Sequence, residues 1–149
     1  MPTLKEQLGS GDKRREVIED SCRVLDQEVA DKSGLTGMAI KGGYKLVQGI
    51  KPGFVRDVVD ALLNDFLEAL EPVYCEAVDK KRPAGAYLLE NKGRVADALL
   101  SVTDKRAQKS ESGMIKKAYE KLRPLAKGQV EAATPRLSKM LERHAAPTV

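Results

Sequence analysis

Two lysines one helical turn apart, Lys41 and Lys45, bracket Tyr44 in the stretch GMAIKGGYK, and a second stretch, GMIKKAYEK, sets Lys116, Tyr119 and Lys121 in the same order. Ammonium groups beside a phenol supply point charges and hydrogen-bond donors, which is the chemistry of anion recognition. A turn precedes each stretch. Lys32 and Ser33 precede the first, Lys109 and Ser110 the second, so that a hydroxyl, a lysine and free backbone N–H groups would gather at a helix N-terminus, the parts of an oxygen cradle. Ordinary N-capping by the same residues needs no ligand. The turn KSGLTG lacks the G-x-x-x-x-G-K-S/T order of a nucleotide-binding loop and no strand precedes it, so ATP hydrolysis is not indicated.

Other reactive side chains are sparse. The single histidine, His144, excludes any metal site needing two and reads as a helix C-terminal residue favoured by the dipole. Cys22 and Cys75 lie far apart without CxxC spacing and read as small buried hydrophobes. Asp57, Asp60 and Asp65 form a carboxylate row at mixed spacing, the pattern of a hydrated face rather than a metal site. No metal and no cofactor is expected, and a hydrolase or transferase has no residue to carry its chemistry.

The elements that must position the lysines read as helices. Hydrophobic residues make up 42% and aromatics 4% of the 149 residues, and Leu, Ala, Val, Glu and Lys dominate, so the chain is predicted to be one all-α domain. Apolar positions recur near the 3.6-residue period from Asp12 to Asp31, from Thr36 to Ile50, and from Pro52 through Leu70, the last being the widest stripe and the one expected to be most buried. Pro72 is expected to end or kink that helix, and a connector over 72–92 follows, with KKRPAG as its loop and one or two short helices. After Gly93 come a fourth helix through Val102, a break at QKSESG, a fifth helix closed by Pro124, and a last segment over 128–144 in which Thr134 and Pro135 start or kink a helix; the tail AAPTV reads as frayed.

The second half echoes the first. At a shift of 78, Val17, Val24 and Asp26 fall on Val95, Val102 and Asp104; after a gap in a loop, Ile40, Lys41 and Tyr44 meet Ile115, Lys116 and Tyr119 at a shift of 75. The order of Gly, Met, Ile-Lys and Tyr is rarer than the apolar matches, so two pseudo-symmetric three-helix units, 12–70 and 93–143, are expected. The stretches DKSGLTGMAIKGGYK, KPGFV, VADALLSVTD and KKAYEKLRP resemble a family of small bacterial cytoplasmic proteins with no assigned function, over most of the chain. The resemblance implies a compact all-helical domain and supplies no catalytic residue.

Within this frame GMAIKGGYK is costly. Lys41 and Lys45 repel by some tenths of a kcal/mol, and Gly42 and Gly43 each cost roughly 0.5–1 kcal/mol in a helix interior. A bound anion would relieve the repulsion. Alternatively the glycines mark a close helix crossing, the tyrosines are core residues with anchored hydroxyls, and the lysines are a solvated face.

Charge is uneven. Residues 1–71 carry 10 Lys and Arg against 13 Asp and Glu, and residues 72–149 carry 16 against 9. Five basic residues and no acid lie between Lys32 and Arg56, and Lys116, Lys117, Lys121, Arg123 and Lys127 stand against Glu120 alone. The expected function is therefore a non-enzymatic binding module for an anionic partner, an acidic protein surface or a phosphorylated small molecule. The alternative is a weak, sequence-nonspecific nucleic-acid binder, favoured by a pI near 9.0 but lacking stacking aromatics and any helix-turn-helix. No apolar run approaches the roughly 20 residues of a membrane span, and the N-terminal stretch has no apolar signal core, so a cytoplasmic location is expected.

Overall fold

The computed structural model describes residues 2–149, and among them only helices occur as regular structure. In chain order these are α1 (Leu4–Leu8), α2 (Gly11–Ala30), α3 (Gly34–Gln48), α4 (Phe54–Asp79), α5 (Ala84–Glu90), α6 (Lys92–Lys109) and α7 (Gly113–His144). They form one bundle. Its centre is α4, whose stripe Val59, Leu62, Leu63, Leu67, Leu70, Val73, Tyr74 and Ala77 is buried, more residues than any other helix buries. Around it pack Leu4 and Leu8 of α1, Val17 and Ile18 of α2, Tyr87 and Leu88 of α5, Val95 of α6 and Leu141 of α7.

Pro72, expected to end or kink its helix, Pro124, expected to close one, and Pro135, expected to start or kink one, all lie inside continuous helices. Pro72 is in α4 and the other two are in α7, which runs unbroken for 32 residues. Each ring costs a backbone hydrogen bond and strains the preceding turn. All three rings are exposed, while Val73, Tyr74 and Ala77 beside Pro72 and Thr134 and Ser138 around Pro135 are buried, so packing on both sides holds the helix through the lesion. The connector over 72–92 shrinks accordingly to a short loop around Lys80–Arg82 and the single helix α5.

The two halves therefore differ in helix count. In the first, Gly49 ends α3 and Gly53, at φ 72°, reverses the chain into α4; a left-handed residue of this kind is cheap only for glycine. In the second, Leu125, Ala126 and Lys127 are good helix formers and carry α7 straight through.

The ends are tied down. Thr3 and Glu6 close a capping box over α1, a five-residue helix with no periodic signal of its own. The C-terminal tail is also docked: the Ala146 N–H donates to Gln7 Oε1 at 2.7 Å and the Thr148 hydroxyl donates to the Arg82 carbonyl.

Candidate functional site

The two lysine-bearing helices cross. A Cβ built on Gly43 of α3 would lie 2.5 Å from Leu122 Cδ2 of α7, so this glycine is what lets the helices meet. Gly42 is different: a Cβ there would find nothing within 4 Å. The packing explanation accounts for one glycine and leaves the other unexplained by the fold. Gly42→Ala is accordingly expected to raise stability by about 0.5–1 kcal/mol, while Gly43→Ala should lower it by about 1 kcal/mol as overpacking outweighs the propensity gain. Urea denaturation of both variants reads the two signs directly.

Both tyrosines are anchored. Tyr44 Oη donates to Asp26 Oδ1 at 2.7 Å, and Tyr119 Oη donates to Asp104 Oδ1 and lies 2.7 Å from Thr103 Oγ1. In each half the phenol on the lysine-bearing helix thus binds the aspartate on the helix before it. Burial, and then the carboxylate partner, pushes Tyr119 up to about 12 and raises Tyr44 likewise, so both stay protonated donors at neutral pH. The Arg123 guanidinium, with Tyr119, holds Asp104 below the usual carboxylate range.

The basic residues divide into spent and free. Lys32 is largely buried and pairs with Glu28 at 3.2 Å, so it is not available as part of an anion cradle. Lys51 pairs with Asp57, Arg56 with Glu19, Arg123 with Asp104 and Lys127 with Asp97. Among the described residues Lys41, Lys45, Lys109, Lys116, Lys117 and Lys121 are exposed and make no ion pair. Lys81, Lys92, Lys105, Arg106 and Lys139 are likewise exposed and unpaired, so uncompensated charge is spread over several helices, and α3 with the first turns of α7 carries Lys41, Lys45, Lys116, Lys117 and Lys121 of it.

The turns depart from expectation. Ser33 takes the N-cap position of α3 without a side-chain cap hydrogen bond. Ser110 is the C-cap of α6; the N-cap of α7 is Ser112, whose hydroxyl accepts from the Ile115 N–H, and Ser110 Oγ accepts from the Ser112 N–H. Its hydroxyl is spent on the turn, so the two serines are not equivalent. Cys75 is also misread as buried: it is exposed on α4 and donates to Glu71.

A cluster between α2 and α7 has no counterpart in the sequence reading. Asp20 is buried and receives Arg23 at 2.9 Å, Arg143 at 2.6 Å and His144 Nε2 at 2.8 Å. Burial works against the carboxylate, but the bonds from Arg143 and His144 outweigh it and hold Asp20 below its ordinary value. Next to it Arg136 clamps Glu28 and Asp31. The open groove here, about 330 Å³, is lined by Arg23, Arg136, Lys139 and Arg143, yet all three guanidiniums already serve carboxylates. This is a clasp closing α7 onto α2. Spacing along one helix could not reveal it, because its partners are 123 and 124 residues apart.

No group of three or more His, Cys, Asp or Glu among the described residues is placed to hold a metal ion, and none of their helices is long and apolar enough to cross a membrane. The model of a family of unknown function, DUF6918, matches residues 4–145. The chain belongs to that family. The match takes in all seven helices of the described residues, both lysine segments and the Asp20 clasp, and leaves out the Thr3 cap and the tail contacts of Ala146 and Thr148. No curated protein and no solved structure matches the chain.

Proposed function

We propose that this chain is a non-enzymatic binding module of the bacterial cytoplasm that recognises an anionic partner through α3 and the first turns of α7. The observation that carries this reading is the grouping of five unpaired lysines on two helices that cross. Carboxylates neutralise Lys32, Lys51, Arg56, Arg123 and Lys127, and leave Lys41, Lys45, Lys116, Lys117 and Lys121 free on two crossing helices. Unneutralised like charges held on a rigid frame raise the local potential and favour an anion. An acidic protein surface fits better than a phosphorylated small molecule, because the free lysines stand on exposed helix faces and the one groove rich in guanidiniums is occupied by its own carboxylates.

The recurrence of the tyrosine–aspartate bond in both halves supports descent of the two lysine helices from one copied unit, with the break between α3 and α4 lost in α7. The double substitution Lys41→Glu with Lys116→Glu tests the reading. Titration of the intact protein with poly-glutamate, inorganic phosphate and mixed-sequence DNA in separate arms should show poly-glutamate binding that the variant loses at least tenfold, with the melting temperature nearly unchanged. Binding of DNA alone, vanishing between about 50 and 200 mM salt, would instead support the nucleic-acid alternative. A variant that fails to fold would make the lysines structural.

A further inference from the structure

Helix α3 buries Gly37 and Ile40 and leaves most of its length outside. On its outer side Leu35 is 87% exposed and Met38 71%, and Leu46 is exposed as well. At 100° per residue, Leu35, Met38, Gly42 and Leu46 share one face, with Lys45 and Lys41 along its edge. Large apolar side chains this exposed, aligned along about 17 Å of one helix, are unusual on a surface unless something covers them. Gly42 adds an independent sign. It sits in the middle of the row, costs helix stability, and a Cβ added there would meet nothing within 4 Å. A notch flanked by apolar side chains is what a second backbone needs in order to approach closely.

We infer that this row on α3 is a docking face for an acidic amphipathic helix of another protein. The inference rests on the anionic-partner reading and adds the apolar half of the contact. The partner's leucine-type residues would cover Leu35, Met38 and Leu46, its backbone would pass over Gly42, and its carboxylates would meet Lys41 and Lys45, which have no acid between residues 32 and 56 to satisfy them. A second copy of this chain is disfavoured, since a two-fold contact through this face would set Lys41 and Lys45 against themselves. A flat anionic membrane is disfavoured too. The helices packed beside α3 are α7, α2 and α4; α7 adds free lysines, but α2 and α4 expose Glu19, Asp26, Asp57 and Asp60, and α3's own aromatic, Tyr44, is turned inward onto Asp26.

Two synthetic peptides separate the outcomes: one amphipathic, with leucines along one helical face and glutamates elsewhere, and one with every leucine replaced by serine. The intact protein should bind the leucine peptide at least tenfold more tightly, with amide chemical-shift changes centred on α3. Leu35→Ser with Met38→Ser should remove that advantage without lowering the melting temperature, both side chains being exposed. If the two peptides bind equally, and only Lys41→Glu with Lys45→Glu weakens them, the anionic-partner reading stands and this inference falls. If neither peptide binds, both fail. Binding to phosphatidylglycerol vesicles in place of the peptide, or dimerisation abolished by Leu35→Ser, would overturn it in favour of a lipid surface or a second copy.

Discussion

Asp20→Ala is expected to destabilise the protein by about 3 kcal/mol, a fall in melting temperature of roughly 6–12 °C for a chain of this size. The carboxylate is buried and gathers Arg23, Arg143 and His144. Its removal leaves the nearly buried His144 ring without its partner, and Nδ1 of that ring already has none. The two arginines are about half exposed and can turn to water, which places the loss at the lower end for a broken buried ion cluster. The pH dependence has a definite sign. A carboxylate whose folded value lies below its ordinary 3.8 contributes stability that is complete above that pH and is lost as the pH falls through the folded value. The gap between wild type and Asp20→Ala in urea should therefore be full at pH 7 and narrow below about pH 3.8.

Leu4→Ala should cost about 3–4 kcal/mol, although it lies in a helix of five residues near the chain's beginning. Leu4 is fully buried in the main core, and its backbone N–H donates to Glu71 Oε2 at 2.8 Å while Lys5 pairs with Glu68. α1 is thus a plug laid on α4. Leu8, one turn on, is nearly as buried, so the cavity left by Leu4→Ala has rigid walls and cannot collapse cheaply. Chemical denaturation should show a lower midpoint with an unchanged slope; a loss below 1 kcal/mol would mean that α1 is not seated in the core.

How far the fold was legible follows from range. Helical periodicity is a local signal, and it placed α2, α3, α4 and α6 and marked α4 as the most buried. Proline is also a local signal, and it misplaced the ends of α4 and the division of α7, because packing of Tyr74, Ala77, Thr134 and Ser138 outweighs a lost hydrogen bond, and that packing is made by distant residues. The α1 plug was illegible for the same reason: five residues are too few to show a period. At the candidate site, Gly43 follows the close-crossing reading and the hydroxyls of Tyr44 and Tyr119 are anchored, although neither ring belongs to the buried core. Lys32 and Ser110 are consumed by neighbours that composition cannot reveal. Leu35 and Met38 carry no local sign of their exposure, because an apolar residue beside a helical stripe fits a core as well as a surface.

The clasp also sets a timetable. Arg143 follows Asp20 by 123 residues, so at about 5–20 residues per second a ribosome needs roughly 6–25 s to deliver the guanidinium after the carboxylate. During that interval the nascent helices α2 and α4 have no α7 to close over them. A chaperone that shields apolar segments on emerging chains would find its substrate here, and translation pauses upstream of α7 would lengthen the exposure.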